Sequence, residues 1–533
     1  MGKALSLPHP HSFSVPLARL ALIAILATGA FYLFVFPPNS APDEAIHFSS
    51  AYETADILIG QQSGDVLTIN MRKADTSFHD DQYEEIDYSN FPDKYTYGFF
   101  ERDLTEAAPD ADGSQVVPSK RLTGVPYPYI YGPQAVGILL ARLLHTNPVW
   151  LYLLARIFNL VFYAVCIWLA VKLTPVGKGI FALIAMWPML IELAASVSSD
   201  IFSIALAFLA FAQYLRIAHQ EQPAKLRDLA LLVCTMALLG PPKVVFMPVF
   251  MLAFFLPKHC FASRKYDVLF RVLIAVIFAL LLYSILDNFT HRGEDGTPII
   301  THGAGPFYTV ADLLEDPRFF AASCKRTVTM YAEFYLHSMI GADLGWLEIH
   351  VNKILIEVFL ALSVLAGLRA RADFALAPPL SWRKRLMFGL IFLLAALGTA
   401  IVMFVSWTPY GAWYIEGIQG RYFLPAIPAL FFALLGWRRQ RIYLPLGIAA
   451  LALFFYVLVK NEYVAAIRDG SLPFYNLPLL ITFVIVGPLL ALSARGLPVR
   501  EWLTDRRLLL GACALHIPVL VMAYEQIATR VPG

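Results

Sequence analysis

The run Leu17–Phe36, L-A-R-L-A-L-I-A-I-L-A-T-G-A-F-Y-L-F-V-F, is closed by Pro37-Pro38 and followed at Ala41–Phe48 by A-P-D-E-A-I-H-F. Its length matches the roughly 20 apolar residues that a helix needs to cross a bilayer, and the paired prolines end it. Asp43, Glu44 and His47 are therefore held within a turn or two of a membrane surface. In helical register Asp43 and His47 stand four apart and share a face. A carboxylate fixed there suits general-base chemistry on a hydroxyl. The plainer reading is an interfacial helix whose first-turn acids are favoured by the helix dipole. The residues alone leave both readings open.

Composition extends the membrane reading to the whole chain. It is 58% hydrophobic and 15% charged, with a mean hydropathy of +0.61, and its apolar runs are continuous rather than alternating. Only helices or closed barrels satisfy their backbone in lipid, so the expected class is an all-α polytopic membrane protein. The first run is longer than the roughly 7–15 residues of a signal-peptide core and many runs follow it, so it reads as a retained helix.

Further runs lie at Val149–Val171, Gly179–Ala195, Ile201–Ile217, Leu229–Leu239, Val244–Leu256, Val268–Leu286, Ile354–Leu368, Leu386–Trp407, Tyr422–Leu435, Ile442–Val459, Leu477–Ser493 and Leu508–Tyr524. With the first, that makes about 13 transmembrane helices. The expected organisation is a cytoplasmic N-terminus (1–16), a membrane domain (17–460) with external loops at 39–147 and 287–350, and C-terminal helices (461–533). Within the first loop, Gln61–Gly113 gives no defensible helix or strand. Ala135–Leu144 is too short to span and reads as interfacial or re-entrant. The cluster Tyr127-Pro128-Tyr129-Ile130-Tyr131-Gly132-Pro133-Gln134 reads first as an aromatic belt, and otherwise as a docking surface for carbohydrate or a headgroup.

The charges agree with an N-in, C-out arrangement. Short loops on one side carry Lys172 and Lys178; Arg216, Lys225 and Arg227; Lys258, Arg264 and Lys265; Arg369, Arg371, Arg383, Lys384 and Arg385; Arg438, Arg439 and Arg441; and Arg495, Arg500, Arg506 and Arg507, as the positive-inside rule requires. Both long loops then fall outside. The net charge of +2 is thus a matter of topology and gives no reason to expect nucleic acid. Of five cysteines only Cys324 falls outside, so no intramolecular disulfide is expected. Phosphate-loop, dinucleotide and zinc-protease motifs are missing, which argues against an ATP-driven pump.

Polar groups gather instead near the outer ends of several runs: Ser196-Val197-Ser198-Ser199-Asp200, Gly240-Pro241-Pro242-Lys243, and Trp407–Phe423, which holds Glu416, Gln419, Arg421 and Tyr422. Arg156 and Asn159 lie inside the second run. Ionisable residues at membrane depth are costly and point to function. Each also has a plain alternative: a helix cap for Asp200 with Ser198, snorkelling for Lys243 and Arg421, and a structural pair of Arg156 with Glu192. Convergence favours function, because cations at the headgroup plane suit a phosphate and a carboxylate suits a sugar hydroxyl.

Together P-D-E-x-x-H-F, the Tyr-Pro/Pro-Gln segment, A-R-x-F-N-L, S-x-S-S-D, G-P-P-K, G-x-x-G-W-L-E (Gly341–Glu348) and E-G-x-Q-G-R-Y-F-L-P resemble the bacterial membrane-protein family called domain of unknown function 2142, over about residues 17–460. That family looks like a branch of the C-type (GT-C) glycosyltransferase fold. The resemblance implies a multi-pass enzyme of the bacterial inner membrane with its site facing the periplasm. It would take a polyprenyl-phosphate-linked sugar and a glycan or lipid acceptor, with Asp43 as base and Glu44 as its neighbour or alternative. Arg421 and Lys243 become phosphate-binding candidates, with His47, Arg156, Asp200, Glu416, Gln419 and Tyr422 as further substrate-binding candidates. Lys243 departs from the family, where an aromatic or apolar residue commonly follows Pro-Pro. No cofactor is required; a divalent ion bridging Asp43 to the phosphate is compatible with the residues but not demanded by them. The expected chemistry is a single inverting displacement. A polysaccharide polymerase or ligase would instead depend on Arg421 and not on Asp43. A transporter or flippase would call for inverted repeats and mid-span carboxylates, and neither is visible.

Overall fold

The computed structural model describes residues 16–78, 97, 115–290, 306–376, 381–435 and 504–529. Its principal helices are α1 (Leu17–Val35), α2 (Glu44–Ile59), α3 (Gly132–Leu143), α4 (Pro148–Leu173), α5 (Asp200–His219), α6 (Arg264–Thr290), α7 (Pro317–Ile340), α8 (Lys353–Leu376), α9 (Trp382–Ser406) and α10 (Asp505–Ala528). Six are long and apolar enough to cross a membrane: α1, α4, α5, α9, α10 and the Arg264–Ser284 part of α6. The chain is an all-α membrane protein. The runs at Ile442–Val459 and Leu477–Ser493 lie outside the described residues.

Several expected spans are broken, each for a visible reason. Gly179–Ala195 is two short helices, Lys178–Ile184 and Pro188–Ala194, because Pro188 carries no N–H and cannot continue the turn before it. Val244–Leu256 begins as a 3-10 turn containing Pro248 and ends in a four-residue helix. Tyr422–Leu435 likewise begins as a 3-10 segment, Gly420–Ala426, containing Pro425, and becomes α-helical at Ile427.

The external loops are more ordered than their polar composition suggested. β1 (Thr68–Arg72), within the stretch given no structure, pairs antiparallel with β2 (Val116–Lys120), just beyond it, Thr68 opposite Lys120, and buries Ile69 and Met71. The alternation is only five residues long, too short to stand out by itself. In the second loop α7 is a 24-residue helix, followed by a hairpin of β3 (Asp343–Leu344) and β4 (Ile349–His350).

Helices α1, α3, α4 and α5 pack in a contiguous layer, with α10 closing on α1 and α8. Lipid is as apolar as these side chains, so close backbone approach has to hold such a layer together. A Cβ at Gly137 of α3 would lie 2.5 Å from the Leu154 carbonyl oxygen of α4. Glycine alone permits that approach, which carries Gln134 onto α4.

Candidate active site

The Pro37-Pro38 stop turns the chain sharply, and the turn is made by two non-glycine residues in the left-handed region, Asn39 (φ 62°) and Asp43 (φ 59°). Asn and Asp tolerate this conformation better than other side chains. Asn39 is held from outside: its Oδ1 accepts from the Tyr152 hydroxyl at 2.7 Å. Asp43 caps α2, which runs on from Glu44, and its carbonyl accepts the His47 N–H at 3.0 Å. Asp43 itself is not helical, so the expectation that residues 43 and 47 share a helical face is met only by this backbone bond.

Asp43 Oδ2 lies 2.6 Å from Arg421 Nη2, with Asp43 39% exposed and Arg421 4%. Arg421 Nε is 3.8 Å from Asp200 Oδ2, and the other Asp200 oxygen is paired with the Lys243 ammonium. Arg421 Cζ and Lys243 Nζ stand 5.3 and 5.8 Å from the Tyr422 ring centroid. Four separate stretches therefore deliver two acids, two cations and an aromatic ring to one place. The cations are neutralised by the acids, so the quartet carries no net charge, and Asp43 is its most exposed member.

His47 flanks the quartet. Its Nδ1 is 2.9 Å from the Tyr131 hydroxyl and 3.4 Å from Ser199 Oγ. Ser50 Oγ donates to the Ile46 carbonyl at 2.9 Å, and burial pushes the Tyr131 phenol up to about 12, so Tyr131 keeps its proton. Burial holds His47 below its ordinary value, with Lys243 and Arg421 adding to the effect against the opposing pull of Asp200 and Asp43. Tyr131, from the Tyr-Pro cluster, and Ser199, from the Ser196–Asp200 segment, both meet His47 here, so Tyr131 is turned into the protein rather than out to a headgroup layer.

Glu44 and Arg156 do not join this chemistry. Glu44 is fully buried, and Arg156 grips it through Nε at 2.8 Å and Nη2 at 2.7 Å. The remaining Arg156 donors go to the Phe36 and Pro37 carbonyls, each at 2.7 Å. Val197 and Ala41 donate their N–H groups to Glu44 at 2.9 and 3.2 Å. With its lone pairs occupied and no path to solvent, Glu44 has no role as a base here. Arg156 pairs with Glu44, not Glu192, because the proline turn brings Glu44 down onto α4. Glu192 instead accepts the Gly345 N–H at 2.6 Å, anchoring the β3–β4 hairpin.

Asn159 and Gln134 form a second brace. Asn159 donates to the carbonyls of Leu193, Ser196 and Ser198, and Gln134 to Asn159 Oδ1 and to Ser198. Together they shape the Ser196–Asp200 turn that aims Asp200. Gln419 precedes Arg421 and has a buried Oε1 with no hydrogen-bond partner. Glu416 lies beside Tyr414. Among the described residues no three His, Cys, Asp or Glu side chains gather as metal ligands, so a divalent ion at Asp43 has no ready protein cage.

Comparison with known proteins gave one finding. A search of curated proteins and a search of solved structures each returned no match. The family model described as "Predicted membrane protein (DUF2142)" matches residues 26–430, a span that takes in every residue of the quartet, and the chain belongs to that family.

Proposed function

We propose that this protein is an integral-membrane glycosyltransferase of the GT-C kind, moving a sugar from a polyprenyl-phosphate carrier to a cell-envelope acceptor. The observation that carries the reading is the pairing of a part-exposed carboxylate, Asp43, with a buried guanidinium, Arg421, at 2.6 Å, next to an apolar helix that ends at the turn. The full topology belongs to the same proposal: about thirteen spans, the N-terminus inside, and the quartet on the outer, periplasmic face of the bacterial inner membrane.

The geometry supports an electrostatic coupling. The acceptor hydroxyl attacks the anomeric carbon and gives its proton to Asp43, while the bond from that carbon to the phosphate oxygen breaks. The carrier phosphate leaves with one more negative charge than it had in the diester. Protonation removes the charge on Asp43 that Arg421 was answering, so the guanidinium is released to the leaving phosphate as that charge appears. Stabilisation that appears with the developing charge is the kind that lowers a barrier. Lys243, tethered to Asp200, is the second cation within reach. A phosphate leaves readily, so no strong general acid is needed, unlike in glycosidases.

The test uses membranes holding the full chain, labelled polyprenyl-phosphate sugars and delipidated envelope glycan. Transfer is expected with the native protein and is lost in Asp43→Asn at normal expression. If Asp43→Asn transfers normally and Arg421→Ala does not, a polymerase or ligase acting on diphosphate-linked glycans replaces this reading.

A further inference from the structure

We propose that an aromatic track running outward from Arg421 along α7 binds the acceptor, and that the acceptor is a glycan chain rather than a lipid-embedded molecule. This rests on the transferase reading above. The track begins at Phe423, whose ring lies 6.0 Å from Tyr335. Tyr335 is 6.2 Å from Tyr331, Tyr331 is 5.7 Å from Tyr414, and Tyr414 is 5.5 Å from Trp413, which is 51% exposed. Glu416 stands among these rings beside Tyr414.

The strip is tied to the site. A Cβ at Gly420 would lie 2.4 Å from the Tyr335 carbonyl oxygen and 2.3 Å from the Met339 nitrogen, so the Gln419–Tyr422 segment rests directly on the backbone of α7. Ile415 donates its N–H to Thr327 Oγ1 at 2.8 Å, and Arg326 Nη1 donates to the Trp413 carbonyl at 3.2 Å. The loop and the helix therefore form one surface that ends at Arg421.

Tyr and Trp at a membrane edge ordinarily form a belt in the headgroup layer. Here the supporting helix argues otherwise. Arg318, Lys325, Arg326 and Glu333 are exposed on α7, and α7 is not among the six helices apolar enough to span. Val328, Met330 and Leu336 are also exposed on α7, but four charged side chains among them are costly in lipid, so the surface is assigned to water. Flat rings beside a carboxylate match a sugar chain, which offers C–H faces for stacking and hydroxyls for the acid.

The experiment places the full chain in nanodiscs and titrates it calorimetrically with mono- to hexasaccharides of hexose and pentose series, in native protein and in Asp43→Asn. Saturable binding that tightens with chain length and persists in Asp43→Asn is expected, with Trp413→Ala and Tyr414→Ala each about tenfold weaker, as for loss of one stacking contact. Trp413→Phe restores most of the affinity. Trp413 is 51% exposed and Tyr414 half-buried, so a melting curve of each variant in detergent accompanies the titration and a normal midpoint is expected. Persistence in Asp43→Asn separates this proposal from the catalytic one. The proposal is overturned if no saccharide binds, if the two alanine variants bind normally, or if brominated lipids quench Trp413 as they would a belt residue.

Discussion

At the scale of single residues, adjacent acids in the sequence receive opposite roles from their surroundings. Asp43, in the left-handed cap, points to solvent; Glu44, the first residue of α2, points into the protein and is closed by Arg156. Asn adopts the left-handed region as readily as Asp, so Asp43→Asn removes charge without disturbing the turn. The expected result is a fall in kcat of about a thousandfold, the range lost with a general base, with KM for the donor not raised, because the quartet gains net positive charge. Steady-state kinetics in membranes check this split. Glu44→Gln acts through stability instead. It strands the Arg156 charge in a buried site, a loss of about 3–5 kcal/mol, visible as a lower thermal midpoint in detergent. Replacing Glu44 and Arg156 together by Met is expected to recover much of that loss. His47 gives a pH signature. Its native value lies below the ordinary 6.5, so the unfolded chain binds the proton first as pH falls. The stability contributed by the neutral imidazole is present above about 6.5 and is lost as pH falls from there toward the lowered native value. Melting curves of native protein and His47→Gln are expected to diverge at neutral pH and converge on acidification through that interval.

At the scale of elements, the site depends on interruptions rather than on regular helices. Pro37-Pro38, Pro188 and Pro425 each stop or tighten a helix, and the freed backbone is taken up by fixed partners. Trp346 Nε1 donates to the Asn39 carbonyl at 3.3 Å, and Gly345 donates to Glu192, so the β3–β4 hairpin braces the turn before Asp43. Gly420 shows how tight the fit is. Gly420→Ala drives a methyl into the α7 backbone and is expected to cost about 1–3 kcal/mol, as overpacking does. It also displaces Arg421, so activity falls further than stability; parallel melting and transfer assays separate the two effects.

At the scale of the molecule, α10 ties the far end of the chain to its beginning. His516 Nδ1 meets the Tyr32 hydroxyl at 2.9 Å and His516 Nε2 the Met186 carbonyl at 2.8 Å, joining α10, α1 and the break before Pro188. His516→Ala leaves both partners buried without it, and a loss of about 1–3 kcal/mol is expected, read as a lower melting temperature. The proposed sidedness rests on the basic loops and is open to a labelling test. In a cysteine-less background Gln62→Cys is expected to react with an impermeant maleimide in intact spheroplasts, and Arg383→Cys only after permeabilisation.

The sequence by itself determined the membrane class, because long apolar runs have few other stable destinations, and it determined the motifs from which the site is made. Pattern could also single out Asp43, Asp200, Lys243 and Arg421 as costly charges near helix ends. Resemblance set Asp43 with Arg421 and Lys243, but pattern could not, because 378 residues separate Asp43 from Arg421 and no local periodicity encodes so distant a pairing. Only the tertiary structure decided that Arg156 serves Glu44, that Asn159 and Gln134 shape a turn, and that the polar loop residues of α7 form a helix against Gly420. The physical reason is the same in each case. A buried charge or a close backbone approach is satisfied by whichever group the packing of distant helices delivers.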